Sequence, residues 1–180
     1  SRWTGSPDGD RESWSAAYAA IHEKLAVQGW IVGRITMAEM TSVAANPPTS
    51  FAPPERPQHF ATRSAAAYAI ALAPLGRLHF DSGEIGGDAV VVLLGADVSD
   101  AHLAELAAAG VSYIVSAPPQ IDLALALDAL ARELGLKRLA LEGGGAINAA
   151  FFAAGLVDEV SLLIAPTLDG AADSPALVDS

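Results

Sequence analysis

Glu142 is followed by three glycines, Gly143, Gly144 and Gly145, and then by Ala146, which opens an apolar stretch of helical character. A carboxylate beside backbone without Cβ atoms suits chemistry, because a flat or charged ligand can approach the main chain there. The N–H groups and positive dipole end of a helix N-terminus favour a phosphate or pyrophosphate. The alternative is a tight strand-to-helix turn that needs positive φ and binds nothing, and spacing alone leaves both readings open. A second junction of the same kind lies at Gly33, Arg34 and Thr36. Arg34 and Thr36 can donate to a phosphate at a helix N-terminus. Thr36 is also a plausible N-cap, with Glu39 completing a capping box that needs no ligand.

Glu142 falls at the C-terminal end of an apolar strand, the place where open α/β sheets bind their ligands. Carboxylates are rarely buried without a partner. We therefore assign Glu142 a substrate or cofactor role, against the alternative that it caps backbone amides or faces solvent. Other chemistries are missing. There is no GxSxG elbow for a serine nucleophile, no cysteine for a thiolate or disulfide, and no GxGxxG dinucleotide fingerprint. The histidines at 22, 59, 79 and 102 include no pair at ligand spacing on a helix, so no metal site is expected. His22 and Glu23 read as a solvated face, Met37 and Met40 as core. Asp158 and Glu159 read as acids that fix backbone amides or a subunit contact.

The elements that must position these residues follow from periodicity. Residues 12–27 form a helix whose Trp14, Tyr18, Ile21 and Leu25 lie on one stripe. Strand 30–33 leads through the first glycine turn into helix 36–43. Residues 46–58 hold five of the eleven prolines and read as a surface loop. Strand 67–72 and an extended piece at 77–80 come next. From residue 89 the order is regular: strand 89–94, helix 100–109 closed by Gly110, strand 111–115, helix 122–134 capped by Asp122 and stopped by Gly135. Strand 138–142, the glycine loop, helix 146–154 and strand 159–164 complete the pattern. Alternation of this kind implies an α/β fold with a largely parallel sheet covered on both faces.

Composition bounds the partners. With 180 residues, 52% hydrophobic and 17% charged, the chain can bury a sizeable core in one domain. A net charge of −11, with ten Lys and Arg spread singly, argues against nucleic acid and against an anionic membrane surface. No run of about 18 apolar residues spans a bilayer. The lack of cysteine is compatible with a cytoplasmic location. Residues 1–12 read like the middle of a loop and imply chain before Ser1, and the tail 169–180 is turn-rich with no closing element.

The run LALEGGGAINAAFFAAGLVDEVSLLIAP, with IVGRITM before it, resembles the C-terminal reductase domain of bifunctional riboflavin-biosynthesis proteins. That domain belongs to the dihydrofolate-reductase-like superfamily, and the likeness runs from about Trp14 to Gly170. It implies a dihydrofolate-reductase-like mixed, mostly parallel sheet with flanking helices, NADPH as hydride donor, a homodimer through the sheet's far side, and a small pterin-, aminopyrimidine- or sugar-like substrate. By the resemblance, Gly33, Arg34 and Thr36 hold the adenosine phosphates, with Arg34 near the 2′-phosphate. Gly143, Gly144, Gly145 and the following Ala146 contact the pyrophosphate and nicotinamide side, and Glu142 lies near the substrate's ribityl chain. The family's first strand has no counterpart in this sequence, and the strands expected after Asp169 are missing. Segment 71–75 lacks the usual Ser or Thr near the 2′-phosphate, which leaves that role to Arg34, helped by Arg63 or Arg77. The competing function is a nucleotide-binding module without redox chemistry; a weaker third is a dimeric scaffold.

Overall fold

The computed structural model describes residues 11–41, 43–118, 120–164 and 176–178, with only the backbone of 11–15. Its elements run α1 (Arg11–Leu25), β1 (Gly29–Gly33), α2 (Arg34–Thr41), β2 (Gln58–His59), β3 (Tyr68–Leu72), β4 (Glu84–Ile85) and β5 (Asp88–Leu94). They continue with α3 (Asp100–Ala108), β6 (Ser112–Val115), α4 (Leu123–Leu134), β7 (Ala140–Leu141) and α5 (Gly145–Ala153). The strands form one seven-stranded sheet in the order β2-β6-β5-β3-β1-β7, with β4 paired to β5. The pairings β6–β5, β5–β3, β3–β1 and β1–β7 are parallel; β2–β6 and β4–β5 are antiparallel.

The central strands explain the layering. β3 (YAIAL) and β5 (DAVVVLL) are continuous apolar runs, as strands covered on both faces require. Their alternate side chains feed two cores. Ala69, Ala71, Val90, Val92 and Leu94 pack with Met37 of α2 and with Leu103 and Leu106 of α3. On the other face Tyr68, Ile70, Val91 and Leu93 pack with Ala126 and Leu130 of α4 and Phe151 of α5. Helix α4 forms where its sequence dictates. The Asp122 side chain accepts from the Leu125 N–H at 3.0 Å, and Gly135 ends the helix at φ 70°, a conformation that costs glycine little. Its stripe Leu123, Leu127, Leu130 and Leu134 faces the second core, as periodicity predicts.

Several expectations are corrected. Residues 159–164 form no strand: they are irregular, with Val160, Leu162 and Ile164 exposed. The outer edge of β7 is open among the described residues, but β7 is only two residues long, too short an edge to order a six-residue partner strand. The buried strand expected at 138–142 shortens to β7. The piece at 77–80 is in no strand, whereas β4 and β2 were not foreseen; β2 ends the proline-rich segment and pairs with β6. Helix α2 starts at Arg34, so Thr36 sits inside its first turn and is not the N-cap. Met40 is exposed while Met37 is fully buried. Residues 1–10 and most of the tail lie outside the described residues, as does the side chain of Trp14.

Candidate functional site

The two glycine turns leave neighbouring strands at the same end of the sheet. β1 and β7 run parallel with Trp30 opposite Ala140 and Ile31 opposite Leu141. The Glu142 N–H continues the ladder to the Ile31 carbonyl at 2.8 Å. Extending that register puts Gly33 beside Gly143, so the structure brings together the turns that the sequence separates. Helix α2 lies against one core and α5 against the other, so their N-termini flank the same sheet edge.

The glycines of these turns differ in what holds them. A Cβ on Gly143 would stand 1.6 Å from Cγ2 of Ile147, so close packing of strand end and helix explains that glycine. Around Gly33 and Gly144 a Cβ would meet nothing within 4 Å among the described residues, and neither has positive φ. Gly144 has φ −74° and ψ 176°, which any residue adopts. The alternative that the loop needs positive φ is thereby overturned. Among the described residues no steric or conformational requirement explains glycine at 33 or 144, and both leave the backbone open to approach. Gly144 also caps α5 without any side-chain hydrogen bond, which leaves first-turn N–H groups for another acceptor. Gly145 is buried at the start of α5, Ala146 is exposed beside it, Arg34 is exposed and Thr36 half-buried.

Glu142 does not face solvent alone. Its Oε1 lies 3.0 Å from Nε2 of His22, and the Tyr18 hydroxyl donates a hydrogen bond to the same carboxylate. Partial burial, reinforced by that bond and by the charge of Glu142, pushes the Tyr18 phenol above its ordinary pKa, so it stays protonated and keeps donating. His22 is therefore a partner of the site acid and not the solvated residue its helical position suggests. Two cavities meet at Glu142. A groove of about 400 Å³ is bounded by Tyr18, His22, Trp30, Asp88 and Glu142, where the Trp30 indole donates to Asp88 Oδ2 at 2.7 Å. A cleft of about 850 Å³ runs between α1, β7, α5 and residues 156–163, and Glu142, Gly143 and Asn148 line it. That volume matches a small-molecule site. Neither cavity reaches Gly33, Arg34 or Thr36.

Asn148, in the second turn of α5, was not singled out from sequence. Its Nδ2 donates to the Leu177 carbonyl at 2.8 Å, while its buried Oδ1 has no hydrogen-bond partner among the described residues. An unpaired buried acceptor costs about 1–3 kcal/mol, and this one points toward Gly143. The signal was available as an amide one helical turn past a glycine loop. Arg63 is not a phosphate ligand of these turns. It pairs with Glu133 near the end of α4, and the next carbonyl beyond α4, Gly135, accepts from Gln28 just before β1. That is the opposite end of the sheet. Arg77 is exposed after β3. Asp158 and Glu159 are exposed and begin no strand.

A mostly parallel sheet with helices on both faces and paired glycine turns at adjacent strand ends defines a dihydrofolate-reductase-like α/β protein. The fold matches a crystal structure of a pyrimidine reductase-like protein from Corynebacterium diphtheriae, with TM-score 0.63 and 20% identity over 98% of this chain and 72% of that one. Sequence is more specific: the chain belongs to the RibD C-terminal domain family, which it matches over residues 1–180. Over 66 residues it is 42% identical to the 2,5-diamino-6-ribosylamino-4(3H)-pyrimidinone 5′-phosphate reductase of Methanothermobacter thermautotrophicus. That match spans 37% of this chain and 30% of the relative's length. Among the described residues no helix is long and apolar enough to cross a membrane.

Proposed function

We propose that the chain is an NADPH-dependent reductase of the riboflavin-biosynthesis type, acting on a small aminopyrimidine-, pterin- or sugar-like substrate. The observation that carries this reading is the pair of glycines, Gly33 and Gly144, that face open space with unstrained backbone at adjacent strand ends. Family membership and the named activity of the Methanothermobacter relative support it. When bound, NADPH supplies a hydride; the chain's part is to hold and orient. First-turn N–H groups of α5 at Gly145 and Ala146 hold the pyrophosphate, with Gly143 and Gly144 letting it approach. At the start of α2, Arg34 takes the 2′-phosphate as a fixed cation, with Gly33 and Thr36 beside it. Glu142 accepts hydrogen bonds from substrate hydroxyls, and the unpaired Oδ1 of Asn148 takes an amide or amine N–H. Tyr18 and His22 keep the carboxylate oriented.

Titrating NADPH by fluorescence quenching tests the reading. Micromolar binding by the wild type and at least about tenfold weaker binding by Arg34→Ala are expected from loss of a charge-assisted contact. Binding indifferent to Arg34 would remove that residue from the site. A second reading, a nucleotide-binding module without redox chemistry, is favoured by one observation: Tyr18 and His22 of α1 already occupy Glu142. Loss of NADPH absorbance over a substrate panel separates the two, since the module binds but never oxidises. We also infer a cytoplasmic homodimer. The exposed run Val160, Leu162, Leu163 and Ile164 supports the dimer, and a monomer in sedimentation at micromolar concentration would refute it.

A further inference from the structure

Away from the glycine turns, three side chains from two segments converge. His79 follows β3, and His102 and Glu105 share α3. The His79 Nδ1 lies 3.1 Å from both carboxylate oxygens of Glu105, and the His102 Nδ1 lies 3.4 Å from Glu105 Oε2. A set of donor atoms, one from each residue, falls within 4.8 Å of one another. We propose that this cluster is a divalent transition-metal site of the His₂Glu type, suited to Zn²⁺, which ties α3 to the segment after β3.

The distances decide between a metal site and plain hydrogen bonding. A tetrahedral ion with Zn–N and Zn–O bonds of about 2.0–2.1 Å sets its ligands roughly 3.3–3.4 Å apart. An N–H···O hydrogen bond prefers about 2.9–3.0 Å. The 3.4 Å separation matches the ligand edge and the 3.1 Å pair falls between the two ranges, while one nitrogen bifurcated between two oxygens is poor hydrogen-bond geometry.

The surroundings fit the role. The Asn46 N–H bonds Oε1 of Glu105, which fixes the carboxylate and leaves Oε2 to coordinate. Gly76 makes room for the His102 ring: a Cβ there would stand 2.8 Å from Cδ2 of the imidazole. His102 and Glu105 are only 7% exposed each, whereas His79 is 25% exposed and opens a path for the ion and a water as fourth ligand. Spacing along one helix could not reveal this set, because its members come from a loop and a helix.

Equilibrium dialysis of the full chain against Zn²⁺, followed by metal analysis, tests the proposal. The expected result is one Zn²⁺ per chain. His79→Ala and His102→Gln should each weaken it by at least about a hundredfold, since even loss of a supporting group costs 10–100-fold. His22→Ala and His59→Ala should retain it. Zn²⁺ should also raise the melting temperature of the wild type and not of His79→Ala. If His102→Gln fails to fold, the partly exposed His79→Ala and the visible absorption of Co²⁺ added to the wild type decide. No uptake by the wild type, a Co²⁺ spectrum that is not tetrahedral, or uptake lost with His22 and kept without His79 would each overturn it.

Discussion

Gly143 and Gly144 are neighbours that lack a side chain for different reasons, and substitution should separate them. Gly143→Ala forces a Cβ to within 1.6 Å of Ile147 Cγ2. Overpacking of that kind costs about 1–3 kcal/mol. Chemical denaturation should show the loss, and combining it with Ile147→Ala should restore part of it relative to Ile147→Ala alone. Full additivity would mean the contact does not exist. Tyr18 offers a second test at this scale. Burial and the Glu142 carboxylate both favour the neutral phenol, so its ionisation should lie above the ordinary 10.0. Removing the charge in Glu142→Gln should bring the midpoint down while leaving it above 10.0, because burial remains. Ultraviolet titration, with Tyr18→Phe to assign the signal, reads it out; a midpoint unchanged by Glu142→Gln would deny the hydrogen bond. Glu142 and the glycines were legible because a strand-end acid next to a Cβ-free loop is a local pattern. His22 and Tyr18 were not, because α1 reaches Glu142 across 120 residues and no helical stripe records that approach.

Elements with their own signals were read correctly. Asp122, the leucine stripe and Gly135 define α4 at both ends and along its buried face, and the structure agrees. Leu130→Ala on that face should cost about 2–5 kcal/mol. Leu125→Ala, two-thirds exposed on the opposite side, should stay within about 0.5 kcal/mol. Urea midpoints compare the two, and equal effects would contradict the placement of α4 on the sheet. Elements whose formation depends on a neighbour were misread. Residues 159–164 carry strand-forming side chains, yet a strand requires a ladder, and the open edge of β7 is only two residues long. Thr36 matched a capping box, but α2 begins two residues earlier at Arg34, so the spacing was real and its register wrong.

At the scale of the molecule, the sheet order β2-β6-β5-β3-β1-β7 joins the two glycine turns. The alternation of strands and helices implied a parallel sheet, but only the observed register sets Gly33 beside Gly143. The central claim is that the turns stay open for a dinucleotide and that Gly144 serves it and not the fold. Binding of NADPH by Gly144→Ala, measured with its melting temperature, tests that claim most directly. Since the new Cβ meets no atom within 4 Å among the described residues, the variant should melt within a few degrees of the wild type. Its NADPH affinity should nevertheless fall at least about tenfold, about 1.4 kcal/mol of lost approach to the backbone. A Gly144→Ala variant that binds NADPH as tightly as the wild type, or a wild type that binds none, would contradict the account.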